Sequence, residues 1–287
     1  MIHLPKPAVM PARSLVRTGG DGYLQIRQVA GRSVVTRAMA RSPLRLLTPR
    51  RAGKAAWVYT STFGGGLVAG DRIDLHADIG PGTTCVLGTQ SQTKIYRSSA
   101  GEAATQSIDA TVQDDATLLC MPDPTALFAD SIFEQRQHFT LSESASLLWV
   151  DWFTSGRRAR GERWNLARFQ SQSQITVGKT LVFKDALLLD AADGAIDAPY
   201  RMGLCDCFGT VVMIGAKFAA ACNELLKWIA AQPARIIDGL IFSAGAIAGG
   251  GVIRVAGPGS EAVGSWLTQR LTFAADAAGA APWARKG

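Results

Sequence analysis

Histidine is scarce in this chain. Three residues, His3, His76 and His138, occur among 287, which largely excludes metal centres built from several imidazoles and chemistry that needs several histidine acids or bases. Long apolar runs are missing too: no stretch of about eighteen apolar residues occurs, and the opening MIHLPKPAVMPARS puts prolines where a secretory leader needs an apolar core. Neither membrane spanning nor export is expected. The five cysteines are odd in number and widely spaced except for Cys205 and Cys207, and a chain of this size with 47% apolar residues needs no disulfide staples. These features point to a reducing, cytoplasmic setting.

Acid is nearly absent from the first 54 residues, where eleven Lys and Arg face the single Asp21 for a charge of +10; the rest of the chain carries −3, making +7 overall. A basic arm of this kind attracts nucleic acid, an anionic lipid surface or an acidic protein through the same screened charge. Against nucleic acid, its arginines have little aromatic interleaving, no helix-turn-helix spacing and no finger-type Cys/His pattern. No nucleic-acid or membrane partner is expected, and a solvated strand face with scattered arginines accounts for the charge at least as well.

Helical periodicity is missing from residues 23–190, which consist of short alternating segments separated by Gly, Pro, Asp and Ser. Over residues 72–79, Ile73, Leu75, Ala77 and Ile79 point one way and Arg72, Asp74, His76 and Asp78 the other. Gly80-Pro81-Gly82 ends this half-buried strand, and residues 84–87 resume the pattern. Further strands are predicted near 23–29, 33–39, 56–62, 104–112, 116–120, 132–140, 145–152, 171–177, 180–184 and 209–214. So many short strands without helices between them predict a mainly β fold of wound or stacked sheets, β-helix-like, rather than a parallel α/β core.

Past residue 214 the pattern shifts to a small α/β portion carrying two helices. One spans 216–232, with Phe218, Cys222, Leu225, Leu226 and Ile229 on one stripe and Pro233 as its stop. The other is capped by Ser260 and faces inward with Val263, Trp266, Leu267 and Leu271. Between them, strands at 236–242 and 251–255 flank a glycine-rich stretch at 245–251, and the tail 274–287 reads as frayed. A single domain is expected, β-rich over 1–213 and α/β over 214–287.

The run Phe63-Gly64-Gly65-Gly66-Leu67-Val68-Ala69-Gly70-Asp71 looks at first like a phosphate cradle. Such a cradle needs a helix start and, for a P-loop, a Lys followed by Ser or Thr, whereas here a strand follows. The glycines are read as permitting unusual dihedrals and close backbone packing. Asp74, His76 and Asp78 offer O, N and O donors, but same-face neighbours on a strand are about 7 Å apart, so a solvated face is favoured over weak cation contact. Cys205-Asp206-Cys207 has no second cysteine pair and no adjacent histidine, which fits two reduced thiols in an extended segment better than a zinc or redox site. The arginines of residues 151–164 suit bidentate pairing with carboxylates, either Asp151 and Glu162 within the fold or those of a partner. No nucleophile arrangement assembles around His76 or His138. A β-fold enzyme using Asp71, Asp74 and His76 on a carbohydrate or another small substrate stays open as an alternative.

Five stretches, in order, resemble one family. They are Ser42-Pro43-Leu44-Arg45, residues Gly64 to Arg72 of the glycine run, residues Thr89 to Ser98 with Lys94-Ile95-Tyr96-Arg97, Met121-Pro122-Asp123-Pro124 with Phe128, and Asp151 to Gly156-Arg157 with Gly161-Glu162. Together they are similar to the urease accessory proteins called UreD, or UreH in some species. The similarity is strongest over 43–164 and looser in the first forty residues and after 190. It departs at residue 88, a glycine where the family has the first of two threonines.

This resemblance implies a scaffold of wound β-sheets and a few helices with no catalysis of its own. It also implies binding to the helical accessory protein UreF, through it to the GTPase UreG, docking on apo-urease, and an internal water-filled passage that carries nickel to the urease active site. No cofactor would be tightly bound, and Ni2+ would pass transiently. A conduit must hold its ion weakly at successive places, so isolated carboxylates are expected to line it. Asp71, Asp151 and Glu162, which lie within the matching motifs, are the candidates; Lys94, Tyr96, Arg97 and Arg157 are expected to brace the fold or contact a partner. A UreD-like paralogue serving another metalloenzyme would carry the same motifs.

Overall fold

The two-residue alternation is realised as strands that wind between two facing sheets. The computed structural model describes residues 19–49, 53–233 and 235–283. The described chain opens with the hairpin β1 (Asp21–Val29) and β2 (Arg32–Ala40), then β3 (Leu44–Leu47), β4 (Ala56–Thr62) and the short β5 (Gly66–Leu67). Regular coils follow as β6 (Arg72–Ile79), β7 (Thr84–Thr89), β8 (Thr93–Ile95), β9 (Ala104–Val112), β10 (Thr117–Cys120), β11 (Thr125–Leu127), β12 (Ile132–Leu141), β13 (Ser146–Thr154) and β14 (Arg168–Val177). The chain finishes with β15 (Thr180–Asp190), β16 (Cys207–Ile214), α1 (Ala219–Ala230), the hairpin β17 (Ile241–Ile247) and β18 (Gly250–Gly257), α2 (Ser260–Arg270) and α3 (Ala274–Ala278).

The smaller sheet runs β15-β14-β12-β9-β6-β1-β2, and the larger follows β17-β18-β16-β13-β10-β7-β4-β3. From β6 to β14 the chain alternates between the sheets, so neighbours within each sheet are successive coils and pair in parallel. The short strands β5, β8 and β11 stack where the coil turns from one sheet to the other. There Leu67, Ile95 and Leu127 fall in register, each fully buried. The mainly β fold of stacked coils is thus the class the alternation predicted.

Two cores result. Between the sheets, Ile73, Leu75 and Ile79 pack with Leu24, Ile26 and Phe139, and Phe133 and Phe169, paired across β12 and β14, stack with centroids 5.8 Å apart. The larger sheet is covered on its other face as well, which explains near-continuous apolar strands such as Ser146–Thr154. That face carries Trp57, Val86, Leu148 and Val211 against Cys222 and Ile229 of α1 and Trp266 and Leu267 of α2.

The C-terminal portion differs from expectation in three places. Ser260 is the first residue of α2, follows Gly259 and makes no cap; no side chain caps this helix. The tail is not frayed throughout: Ala274 and Ala278 of α3 are fully buried, their small side chains letting this short helix sit close to the sheet, while residues 284–287 lie outside the described residues. The strand expected at 236–242 is β17, shifted into the glycines. Gly249 (φ 77°) makes the tight turn to β18, and Gly251 lies directly under α1, where a Cβ would come 2.8 Å from Cys222 Sγ. Among the described residues, no helix is long and apolar enough to cross a membrane.

Candidate functional site: a polar cavity between the sheets

Inward positions of a two-sheet core are ordinarily apolar, yet β12 places Gln135 and Gln137 between Phe133 and Phe139, and β14 places Ser171 and Ser173 between Phe169 and Ile175. All four are buried. They meet Asp151, on β13: Gln135 Nε2 donates to Asp151 Oδ2 at 2.9 Å and to Ser171 Oγ at 3.3 Å, and Trp149 Nε1 donates to Gln137 Oε1 at 2.9 Å. A buried polar network costs stability unless fully satisfied, and a core that breaks its own pattern in this way marks a functional region.

Gln135, Gln137 and Asp151 line a cavity with Thr93, Cys120, Asp123 and Thr125, and Asp151 also lines a second cavity with Ser171, Ser173, Asp185, Thr210 and Arg254. The carboxylate therefore stands in the wall common to both. The first has a volume of about 50 Å³ and the second of about 190 Å³, room for several waters. Asp123 is shared in turn with a surface groove formed by Trp152, Glu261 and Trp283 beside α2. The common walls run from that groove past Asp123 and Asp151 to Asp185, which accepts a 2.8 Å bond from Arg254 Nη2.

Burial pushes Asp151 up from 3.8 to about 6; hydrogen bonds from Gln135 and Gln137 pull it partly back, and the charge of Asp185 adds to the rise. Asp151 is therefore ionised at neutral pH and protonated near pH 5. In the wall of the first cavity, burial and then the charge of Asp151 hold the Cys120 thiol well above the usual thiol range, and in the apolar core behind it burial pushes Cys85 up to about 12. Neither supplies the thiolate that would bind a soft metal tightly.

The sequence profile of the UreD urease accessory proteins matches residues 19–286. The chain belongs to this family. A urease accessory protein UreD of Sorangium cellulosum is 44% identical over 268 residues, covering 93% of this chain and 84% of that protein. One from Anaeromyxobacter is 38% identical over 286 residues, 99% and 96% of the two chains, and urease accessory protein D of Arabidopsis thaliana is 34% identical over 201 residues, 68% of each.

Of the three carboxylates singled out within the UreD motifs, the cavity wall holds Asp151. Asp71 closes its own turn, accepting from the Val68 amide at 2.9 Å while its own amide donates to the Val68 carbonyl at 3.0 Å. Glu162 is held by Arg157, whose Nε donates to Oε2 at 3.0 Å and whose Nη2 pairs with Oε1, and by the Ala129 amide at 3.3 Å. Those bonds, chiefly from Arg157, keep the Glu162 carboxyl below the usual range. The Arg157 guanidinium also lies 4.3 Å over the Phe128 ring, which meets Tyr96 edge-on at 5.5 Å, and Tyr96 Oη donates to the Gly64 carbonyl at 3.1 Å. Tyr96 and Arg157 thus brace the glycine loop; Lys94 is half-buried on β8 and Arg97 is exposed. In that loop Gly64 and Gly65 have φ of 75° and 72°, and a Cβ on the extended Gly66 would lie 2.3 Å from the Lys94 carbonyl oxygen.

Away from the cavity, Asp74 is engaged by Arg72 and Ser107, and Asp78 by Arg27 and Gln113. Asp206 pairs with Arg163 at 2.6 Å and Arg158 at 3.0 Å. Cys207 opens β16 in the core, whereas Cys205 sits in the preceding loop, so the two thiols do not share a strand face. Gln135, Gln137, Ser171, Asp123 and Asp185 escaped the sequence reading as site residues. The signal for the first three was available: polar side chains at the inward parity of otherwise amphipathic strands.

Proposed function

We propose that this chain acts in urease maturation as a scaffold with an internal nickel route: it binds UreF, through it the GTPase UreG, docks on apo-urease, and lets Ni2+ pass through the interior. The observation that supports this reading most directly is Asp151 in the wall common to two polar cavities. Nickel binds tightly to thiolate and imidazole cages, and a deep well on a route would trap it. Asp123, Asp151 and Asp185, amide oxygens and water offer shallow wells in series. Asp123 and Asp151 also supply local negative potential, Asp185 being paired with Arg254, against a net charge of +7, which by itself opposes cation entry. The chain breaks no bond; nickel is cargo rather than a resident cofactor, and the work is done in the cytoplasm.

Reconstitution tests this. Apo-urease incubated with UreF, UreG, GTP and nickel should gain activity only when this chain is added. Full activation without it would remove the proposal.

A further inference from the structure

The outer face of the smaller sheet carries a group that the interior route does not use. His76, Asp109 and His138 sit on the neighbouring parallel strands β6, β9 and β12, directly in register. Asp109 stands between the two imidazoles, its Oδ2 3.9 Å from His76 Nδ1 and its Oδ1 3.5 Å from His138 Nδ1, and all three side chains are about half exposed. The outward carboxylates of the flanking rungs, Asp74 and Asp78, are taken up by arginines, whereas the partners of Asp109 are the two histidines.

We infer that this rung is a surface site for a divalent transition ion that favours imidazole, of the nickel and zinc class. Adjacent strands are about 4.8 Å apart, so the two histidines stand about 10 Å apart at their Cα atoms, with the carboxylate midway. Among the described residues no three such groups form a ready-made metal centre. The exposed imidazoles must therefore rotate about χ1 and χ2 so that one nitrogen of each turns to an ion above Asp109, with water completing the shell. Two imidazoles and one carboxylate are a donor set suited to these ions, and one that the polar stripe of the interior lacks. Arg136, on the next rung beside Ser107, places a like charge nearby and keeps the site weak enough to exchange its ion.

The inference stands apart from the interior route, and its test separates the two. Nickel(II), and separately zinc(II), is titrated calorimetrically into the untagged full chain. One binding event should weaken at least roughly tenfold in His76→Gln and in His138→Gln, since even losing an outer-shell partner of a metal ligand costs that much. Asp151→Asn should leave the same event unchanged. Cobalt(II) should give a visible absorption band with wild type that the double variant lacks. Wild type that binds neither ion at millimolar concentration, or a double variant with wild-type stoichiometry and affinity, overturns the inference. The substitutions sit on exposed side chains, and matched circular dichroism confirms that the fold is intact.

Discussion

Replacing Asp151 by Asn separates the cost of a half-buried, poorly solvated carboxylate from its use. The group titrates at 3.8 in its ordinary state and near 6 in the fold, so the folded protein holds this proton more tightly than the unfolded chain does. Its contribution is fully favourable below pH 3.8, is lost as pH rises from 3.8 to about 6, and leaves the native state carrying the whole cost of the charge above that. At about 1.4 kcal/mol per tenfold change in proton affinity, the cost is at most about 3 kcal/mol. Asp151 faces the cavity, where water screens it, so about 1–3 kcal/mol is expected. Asn keeps the shape and can still accept from Gln135, while its amide N–H groups turn to water in the cavity. Asp151→Asn should therefore be the more stable protein at pH 8, melting higher by roughly 2 °C per kcal/mol, with the advantage shrinking toward zero at pH 4. Thermal melts at pH 4, 6 and 8 read this directly. Equal or lower stability at pH 8, or a difference that does not change with pH, would refute the reasoning.

Gln137→His places an imidazole beside Asp151; calorimetry should then find an interior nickel site at least roughly tenfold tighter together with slower urease activation, and unchanged affinity would mean that the ion does not pass this point. Gly66→Ala, whose methyl meets the Lys94 carbonyl, should cost about 2–3 kcal/mol in urea unfolding, against about 1 kcal/mol for Gly65→Ala, which suffers from its positive φ alone; the reverse order would contradict the packing described. Glu162→Gln should lower the melting temperature at pH 7. Because the Glu162 pKa is lowered in the fold, that deficit should begin to shrink as pH falls below 4.5 and go on shrinking as the wild-type carboxylate takes up its proton; a deficit that stays constant as the pH is lowered would point to packing instead.

What was legible in the sequence was whatever repeats locally. Residues Arg72–Ile79 announce their buried face by strict alternation, and the stripes of α1 and α2 by helical spacing. The corner strands β5, β8 and β11 have two or three residues each, too few to show any period. β17 was displaced because its glycines look like linker residues and owe their place to a helix packed against the hairpin. The cavity is legible only in fragments. Asp151 adds nothing to local pattern, and the partners that define its role lie 16 residues before it on β12 and, 36 residues on from Gln135, after it on β14. Motif membership alone did not separate lining from bracing: Asp71 and Glu162 sit in motifs as conspicuous as that of Asp151, yet their oxygens are spent on holding loops.

The central claim is that an ion travels through the inside of this protein. Ser173→Phe puts a ring into the cavity beside Asp151 and leaves the outer surface untouched. The variant, matched to wild type by circular dichroism, is assembled with UreF, UreG and apo-urease, and nickel per urease active site is counted by mass spectrometry after GTP is added. The expected result is a complete complex that delivers little nickel; a complete complex that delivers the normal amount would contradict the claim.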